Sequence, residues 1–257
     1  MLDLLILKID YMRKLVFTLF AVLLITLSSC SSDDSPESSN PPVSSADVLL
    51  TKITETYDDG TSASINFSYE GNKIISAFSE GYEETYTYTG DLLTQINEYE
   101  EGALISQTVL EYDSQDRLRT EVYTSGNINQ TNEYTYNEDG TITMNENDVN
   151  TYILTFNNGN LMSEDHVDGN QDYTFTYDDK KSPFYNIFQR SVFSLVGSFE
   201  AYKNNVLSYV NTGGATLSDG FTNTFTYNAN GFPETGVTIY EPGTVNEETI
   251  LLQFFYE

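Results

Sequence analysis

The residues that could carry out catalysis are few, and the histidine is the first to consider. The chain has one histidine, His166, so it is the only candidate base for a Ser/His/Asp hydrolase. It lies within residues 164–169, between acidic residues and a glycine, a composition typical of the flank of a turn. The chain has no Gly-x-Ser-x-Gly elbow, phosphate loop or dinucleotide fingerprint. We therefore predict that His166 is a solvated residue and that the protein is not an enzyme.

Carboxylates are the second group that could do chemistry. A pair of them can hydrolyse a glycosidic bond, but the pattern singles out no pair, and the absence of tryptophan removes a common sugar-stacking platform. Residues 168–172 place oxygen ligands at alternate positions, as a calcium loop does. Tyr173 stands where a glycine is expected, so an ordinary turn is predicted there. A single cysteine and a single histidine exclude a Cys/His zinc site, and we predict no metal or cofactor.

The overall charge narrows the choice of partners. The chain contains 11 Lys and Arg against 39 Asp and Glu, a net charge of -28. Such a field repels nucleic acid, which is excluded as a partner, and it repels anionic lipid headgroups. Solubility is the simplest interpretation, and cation binding is the functional alternative. The 257 residues, 39% of them hydrophobic, are enough for a single domain with one core, and we predict a monomer.

The N-terminus carries a predicted targeting signal. After the basic residues Arg13 and Lys14, Leu15 to Leu27 form an apolar run that is too short to span a bilayer and fits a signal peptide. The run ends at Leu-Ser-Ser-Cys30, which resembles the lipobox of bacterial lipoproteins. The resemblance implies that residues 1–29 are removed and that Cys30 carries the acyl chains that contact the membrane. Met12 is the predicted true start, because the charged residues before it fit a signal peptide poorly.

Residues 30–45 follow as a Ser/Pro/Asp tract that cannot bury enough apolar area to order itself, so they are predicted to form a flexible tether. Acidic residues directly after the cysteine resemble the surface-export signal of Bacteroidetes-type lipoproteins. A generic acidic linker is the alternative. The expected location is therefore the outer membrane, lipid-anchored at the cell surface, with the periplasmic face as the alternative.

The main signal in residues 46–257 is a repeat, best seen at 134–140 as aromatic, polar, aromatic and then a turn. Period-two alternation predicts a strand whose aromatic residues lie on one face, and the Asn, Asp and Gly residues supply the turn. We name the second aromatic of each unit the marker. The markers are Tyr69, Tyr88, Tyr112, Tyr136, Phe156, Tyr177 and Tyr227. Because core is the better interpretation of these rows than an exposed binding face, we predict that the markers point inward.

Each unit is predicted to be a hairpin, and the hairpins follow one another as an antiparallel meander. The predicted fold class is all-β, a large twisted sheet or open barrel with one short helix. The regular spacing of the repeat ends after Tyr177, because the next marker is 50 residues away. Pro183 can begin a helix, apolar residues follow near helical spacing, and Gly197 can end it. This segment, residues 180–197, is the first place to look for a role other than scaffold, either at an end of the sheet or over one face.

The units at 134–140 and 225–231 resemble YD/RHS-type repeats, and residues 177–184 are similar to a stretch of uncharacterised Bacteroidetes lipoproteins built from them. The resemblance implies a β-rich extracellular module without catalytic residues. Long RHS arrays form a shell around cargo, and this chain has too few units for that function.

Three functions remain open. The first is a non-catalytic, lipid-anchored envelope protein with a binding or structural role, whose ligand could be a glycan, a protein or an apolar molecule. The second is a carrier that holds an apolar ligand in a half-open barrel, which a concave apolar pocket would favour. The third is a glycan-active hydrolase, which two facing carboxylates in a cleft would favour.

Overall fold

The computed structural model describes residues 48–167, 169, 172–213 and 220–257. The predicted signal peptide, Cys30 and the tether lie outside the described residues. The described chain forms sixteen β-strands and one α-helix, α1, at Arg190–Val196. The strands are β1 Leu50–Tyr57, β2 Ser62–Glu70, β3 Lys73–Ser79, β4 Tyr82–Thr89, β5 Leu92–Glu100, β6 Ala103–Tyr112, β7 Leu118–Ser125, β8 Ile128–Tyr136, β9 Ile142–Glu146, β10 Asn150–Asn157, β11 Asn160–His166, β12 Tyr173–Tyr177, β13 Val206–Asn211, β14 Gly220–Tyr227, β15 Pro233–Tyr240 and β16 Glu248–Tyr256.

The strands form one closed antiparallel barrel in which every strand pairs with its neighbours in the sequence. The last strand, β16, pairs with the first, β1, from Leu50 opposite Tyr256 to Tyr57 opposite Ile250. The expected meander is confirmed, but the expected twisted sheet or open barrel is wrong, because the sheet closes on itself. Closure leaves no unpaired strand edge among the described strands, which removes the usual route to edge-to-edge aggregation.

A repeated bulge helps to explain why the sheet curls. In six of the units the register shifts by one residue immediately before the marker, as between Thr87 and Tyr88 or Glu111 and Tyr112. The strand after the turn supplies the extra residue. Such bulges bend a strand and increase its local twist. Repeating one near the same end of successive hairpins therefore curves the meander in a consistent direction.

Four of the six marker tyrosines link neighbouring hairpins. Tyr112 Oη donates a hydrogen bond of 2.6 Å to the carbonyl oxygen of Leu93, in the preceding hairpin. Tyr69, Tyr136 and Tyr177 do the same to Leu50, Leu118 and Leu161 at 2.7, 3.1 and 2.6 Å. The four acceptor leucines are at most 1% exposed. The rings of six of the seven markers, all except Tyr227, pack against the core, so the prediction that the markers point inward is confirmed for those six.

The outer face of the barrel is mostly polar, with some exposed apolar side chains such as Val109 and Leu251. Hydroxyl side chains pair across adjacent strands, as Thr54 with Ser64 at 2.9 Å and Thr226 with Thr235 at 2.7 Å. Charged residues such as Glu133 are also exposed on this face. Because successive side chains of a strand point to opposite faces, the aromatic residues fill the inside while the polar residues meet water.

Residues 178–205, here called the inner segment, connect β12 to β13 and pack inside one end of the barrel. Hydrogen bonds attach it at separate points of that end: Phe188 N donates to Asn72 O at 2.8 Å, and Lys203 N donates to Gly159 O at 3.1 Å. The phenylalanines of the segment join the barrel core, with Phe184 5.3 Å from Phe67 and Phe193 5.5 Å from Tyr86 between ring centroids. The segment therefore closes this end of the barrel.

The predicted short helix is present in this segment, but its predicted start is wrong. Residues 183–189 form turns, because the amide of Phe188 bonds to Asn72 and Gln189 adopts a left-handed conformation at φ 52°. Leu93 N donates to Gln189 Oε1 at 2.6 Å, which holds Gln189 against the barrel wall. The end is as predicted: Gly197, at φ 69°, donates its N–H to Phe193 O.

Candidate binding cavity

A cavity of about 720 Å³ lies inside the barrel, between the inner segment and the two halves of the sheet that meet at the β1–β16 seam. Strands β1 to β4 and β13 to β16 contribute its walls, and two glutamates from the β5–β6 turn region complete the rim. The volume falls within the range of about 300–1,000 Å³ that is usual for small-molecule sites. The predicted aromatic core is therefore incompletely filled on this side.

The floor of the cavity is apolar. Two of its phenylalanines, Phe184 and Phe199, belong to the inner segment and stack with ring centroids 4.7 Å apart. The barrel wall supplies the rest of the apolar surface, which includes Ile65, Phe67, Phe225, Leu252 and Phe254. Phe67 meets Phe199 edge-on at 5.5 Å, so the rings support one another. A floor of this kind favours an apolar ligand, because burying apolar surface is worth roughly 25 cal/mol per Å².

The mouth is acidic. It lies at the end of the barrel opposite the inner segment, where the exposed residues Glu80 and Glu101 flank the cavity beside the β3–β4 and β5–β6 turns. Glu55, Glu84 and Glu100 line the adjoining wall. No lysine, arginine or histidine is among the described residues that line the cavity. The electrostatic potential inside is therefore negative, and the cavity walls focus it toward the opening.

Tyrosines hold two of the wall carboxylates in place. Tyr57 Oη donates to Glu55 Oε2 at 2.8 Å. Glu84 accepts from Tyr82 Oη at 3.4 Å and also from Tyr86 Oη. Burial, and then the charges of Glu84 and Glu98, raise the pKa of Tyr82 well above its ordinary value, so its hydroxyl stays a donor.

Glu200 is the carboxylate of the inner segment that lines the cavity, next to the floor residue Phe199. Its side chain is exposed to solvent, and partial desolvation by the surrounding protein raises the pKa of its carboxyl from 4.5 to about 7. Its charge also contributes to raising the pKa of Tyr202 and Tyr177, which places it near those rings. Its side chain still contacts the space of the cavity. An ionisable group therefore borders the apolar floor, where a charged partner would stabilise its ionised form.

Two buried asparagines of the cavity wall are fixed by the protein, and neither presents an accessible oxygen to the cavity. The amide nitrogen of Asn205 donates to Asp178 Oδ2 at 2.9 Å, and that of Asn223 donates to Val206 O at 2.9 Å. These bonds fix the amide orientation. The oxygen of each has no hydrogen-bond partner in the part of the chain that the structure describes, although the residues are only 3% and 9% exposed.

A second group of buried carboxylates lies away from the cavity, in the β5 to β11 wall. Glu121 accepts hydrogen bonds from Tyr134 at 2.8 Å and from Asn132 at 3.0 Å. Glu98 and Glu164 are also buried. Across the described ranges, no group of three or more His, Cys, Asp or Glu residues is arranged to hold a metal ion. This group therefore forms hydrogen bonds within the core.

The residues considered for catalysis lie elsewhere. His166 ends β11, is half-buried and stacks on Tyr152 with ring centroids 4.7 Å apart, so the prediction that it is solvated holds only in part. The acidic loop considered for calcium lies partly outside the described residues, and Asp172 Oδ1 accepts the amide of His166 at 3.0 Å. Neither residue lines the cavity.

Sequence reasoning missed the acidic mouth and Glu200. It did single out the break in the repeat, and Ser182, Pro183 and Phe184 of that break line the cavity. One further signal was available in the sequence: Glu200 stands alone among apolar and aromatic neighbours at 199–202. The mouth glutamates come from separate hairpins, so only the closed barrel brings them together.

The comparisons with known proteins bear on the fold. No family model matches the chain, and no curated protein matches it. Among solved structures, the chain is similar to a porin-like protein from Bacteroides uniformis, with a TM-score of 0.52 and 12% identity over 81% of this chain and 98% of that one. At this identity the likeness concerns the barrel fold. In the described part of the chain, no helix is both long enough and apolar enough to cross a membrane.

Proposed function

We propose that this protein is a non-catalytic, lipid-anchored envelope protein whose barrel binds an apolar small molecule. The observation that carries the proposal is the cavity of about 720 Å³ with its phenylalanine floor. It corresponds to the second of the functions expected from the sequence, with a closed barrel in place of a half-open one. The glycan-active alternative stays a hypothesis.

The polar outer face supports attachment by a lipid. A barrel that crosses an outer membrane carries an apolar band on its outside and a polar interior. Here hydroxyl ladders such as Thr176 with Ser208, at 2.6 Å, lie outside, and the phenylalanines lie inside. Two or more acyl chains on Cys30 would supply stable membrane attachment instead.

Ligand binding is tested with the neutral fluorescent probe N-phenyl-1-naphthylamine and variants that fill the cavity. Ala63 and Ala77 line the cavity and are buried. We expect Ala63→Phe, or the smaller change Ala77→Leu, to weaken probe binding at least about tenfold by occupying the ligand space. Ala229→Phe, in an exposed turn, is the matched control. Unchanged affinity in both folded cavity variants, or no binding by the unaltered protein, contradicts the proposal.

The anchor is tested by mass spectrometry of the mature protein from its native membrane. We expect an N-terminal Cys30 carrying acyl chains and an unacylated, released protein for Cys30→Ser. Protease treatment of intact cells then separates the cell surface from the periplasmic face. A mature protein that retains residues upstream of Cys30 contradicts the anchor.

A further inference from the structure

We infer that the cavity selects an amphipathic organic cation, with its apolar body against the phenylalanine floor and its ammonium or guanidinium group near Glu200. This inference rests on the proposed function and adds the charge of the ligand. Three properties of the cavity lead to it: its apolar floor, its acidic lining without a basic residue, and the carboxylate of Glu200 beside the floor.

The charged side chains that line the cavity are all carboxylates. Six glutamates line it, and no basic residue is among the described lining residues. The amide nitrogens of Asn205 and Asn223 are already bonded to protein acceptors, and their unpartnered oxygens are buried out of reach of the cavity space. The charge of the lining is therefore the property that selects a ligand, and it favours a cation.

The position of Glu200 specifies charge as well as hydrogen bonding. A partly desolvated carboxylate is less stable in its ionised form, and a cation beside it offsets that cost. Glu200 adjoins Phe199, whose ring meets Phe184 and Phe67. A cationic group joined to an apolar body can therefore contact Glu200 while its body covers these rings.

The acidic mouth also favours a cationic ligand as the ligand enters the cavity. Glu80, Glu100 and Glu101 line the opening, and the whole chain carries a net charge of -28. Long-range attraction of this kind raises the local concentration of cations and speeds their association. A fatty acid or another anionic amphiphile would be repelled at the mouth and again at Glu200.

The test uses three probes with a twelve-carbon chain and different headgroups: dodecylammonium, 1-dodecanol and dodecanoate. The two ionic probes are kept below their micelle concentrations and the alcohol below its solubility limit. Their affinities are measured at pH 8 by displacement of N-phenyl-1-naphthylamine. We expect dodecylammonium to bind at least about tenfold more tightly than dodecanol, because one charge-assisted hydrogen bond contributes about that much affinity. We expect dodecanoate to bind most weakly, because the glutamates repel it. The preference should shrink at high salt, because screening acts on the mouth charges.

Glu200→Gln is the decisive variant because it removes the charge and retains the shape. It should reduce dodecylammonium affinity about tenfold and leave dodecanol affinity unchanged. Glu133→Gln removes the same charge from an exposed position outside the cavity and should leave all three affinities unchanged.

Each outcome has a separate meaning. Equal binding of the amine and the alcohol, or tighter binding of dodecanoate, overturns the inference and leaves an apolar carrier. Binding of calcium alone, without dodecylammonium, also overturns it. Failure of all three probes and of the naphthylamine to bind would contradict the proposed function itself.

Discussion

At the scale of single residues, the marker tyrosine has two functions that its position in the repeat combines. Its ring packs in the core, and its hydroxyl bonds to a backbone carbonyl in the preceding hairpin, as Tyr112 does to Leu93. Burial raises the pKa of Tyr112 above its ordinary value, so the hydroxyl remains a donor. Phe156 occupies a marker position without a hydroxyl, which shows that the ring alone satisfies the packing requirement.

Replacing Tyr112 by phenylalanine tests the value of this link. Tyr112→Phe removes the 2.6 Å bond to Leu93 O and should lower the free energy of unfolding by about 1–2 kcal/mol. Urea unfolding followed by circular dichroism measures the change. Tyr99→Phe, on a half-buried tyrosine outside the marker positions, is the control and should change stability by less than about 0.5 kcal/mol. Equal losses in the two variants would contradict the role of the hydroxyl link.

Glu200 makes a second prediction, on the pH dependence of stability. Its pKa is raised from 4.5 to about 7 in the folded state, so the neutral acid favours folding. This contribution is fully present below pH 4.5 and is lost as the pH rises through about 7. Glu200→Gln should therefore be more stable than the unaltered protein at pH 8 by about 1–2 kcal/mol, a value reduced for solvent in the cavity.

The measurement is urea unfolding of both proteins at pH 8 and at pH 4.5, without ligand. At pH 4.5 the difference should fall well below the difference at pH 8, because Glu200 is then largely neutral in the folded state. A constant difference at the two pH values would contradict a raised pKa in the cavity.

At the scale of elements, the inner segment determines what the barrel can hold. It fills one end and leaves the other side open, so the cavity has a floor in place of a through-channel. Phe193, at the centre of α1, is fully buried between Tyr86 and Phe199, with ring centroids 5.5 and 5.8 Å away. The segment is therefore part of the core.

Phe193→Ala tests that conclusion. Removing a fully buried ring leaves a void that the barrel cannot refill, so we expect a loss of about 3–5 kcal/mol in the free energy of unfolding. The measurement is urea unfolding monitored by tyrosine fluorescence. Leu104→Ala, at a side chain that is 55% exposed, should cost less than about 1 kcal/mol. A loss in Phe193→Ala no larger than the control's would show that the segment packs loosely.

Local sequence patterns predicted the strands and the helix, but they did not predict every residue at which these begin and end. Alternation and turn residues gave the strands, and Gly197 gave the end of α1, since a left-handed residue is needed there. The helix was predicted to start at Pro183, but it starts at Arg190. The contacts that keep residues 183–189 out of the helix, from Phe188 to Asn72 and from Leu93 to Gln189, join residues far apart in the chain, so no local pattern reveals them.

At the scale of the whole molecule, closure of the barrel was the step that the sequence did not predict. Each hairpin carries local signals, but the pairing of β1 with β16 joins residues about 200 positions apart, and no local pattern encodes it. No local sequence pattern encodes the cavity either. Its glutamates belong to different hairpins, and only Glu200 stands out within its own neighbourhood.

The seam between β1 and β16 allows a test of closure by circular permutation. Leu49 and Glu257 exchange backbone hydrogen bonds of 3.1 and 3.0 Å, so a short linker can join residue 257 to residue 48. New ends placed in the exposed turn at residues 138–139 interrupt no strand pairing, and we expect a folded barrel that still binds the naphthylamine probe. New ends inside β8, between Thr131 and Asn132, should prevent folding. Circular dichroism and probe binding distinguish the two.

The same seam sets an order of events during folding. The side chain of Thr51 bonds to Phe255 O, 204 residues away, so this contact cannot form until the last strand has been made. Pairings between distant parts of a chain form slowly, and until then the first strand and the newest strand each present an open edge. During synthesis the aromatic interior is also exposed, and such intermediates are prone to aggregate. A protein built from simple local hairpins therefore depends, at its final step, on protection from other chains.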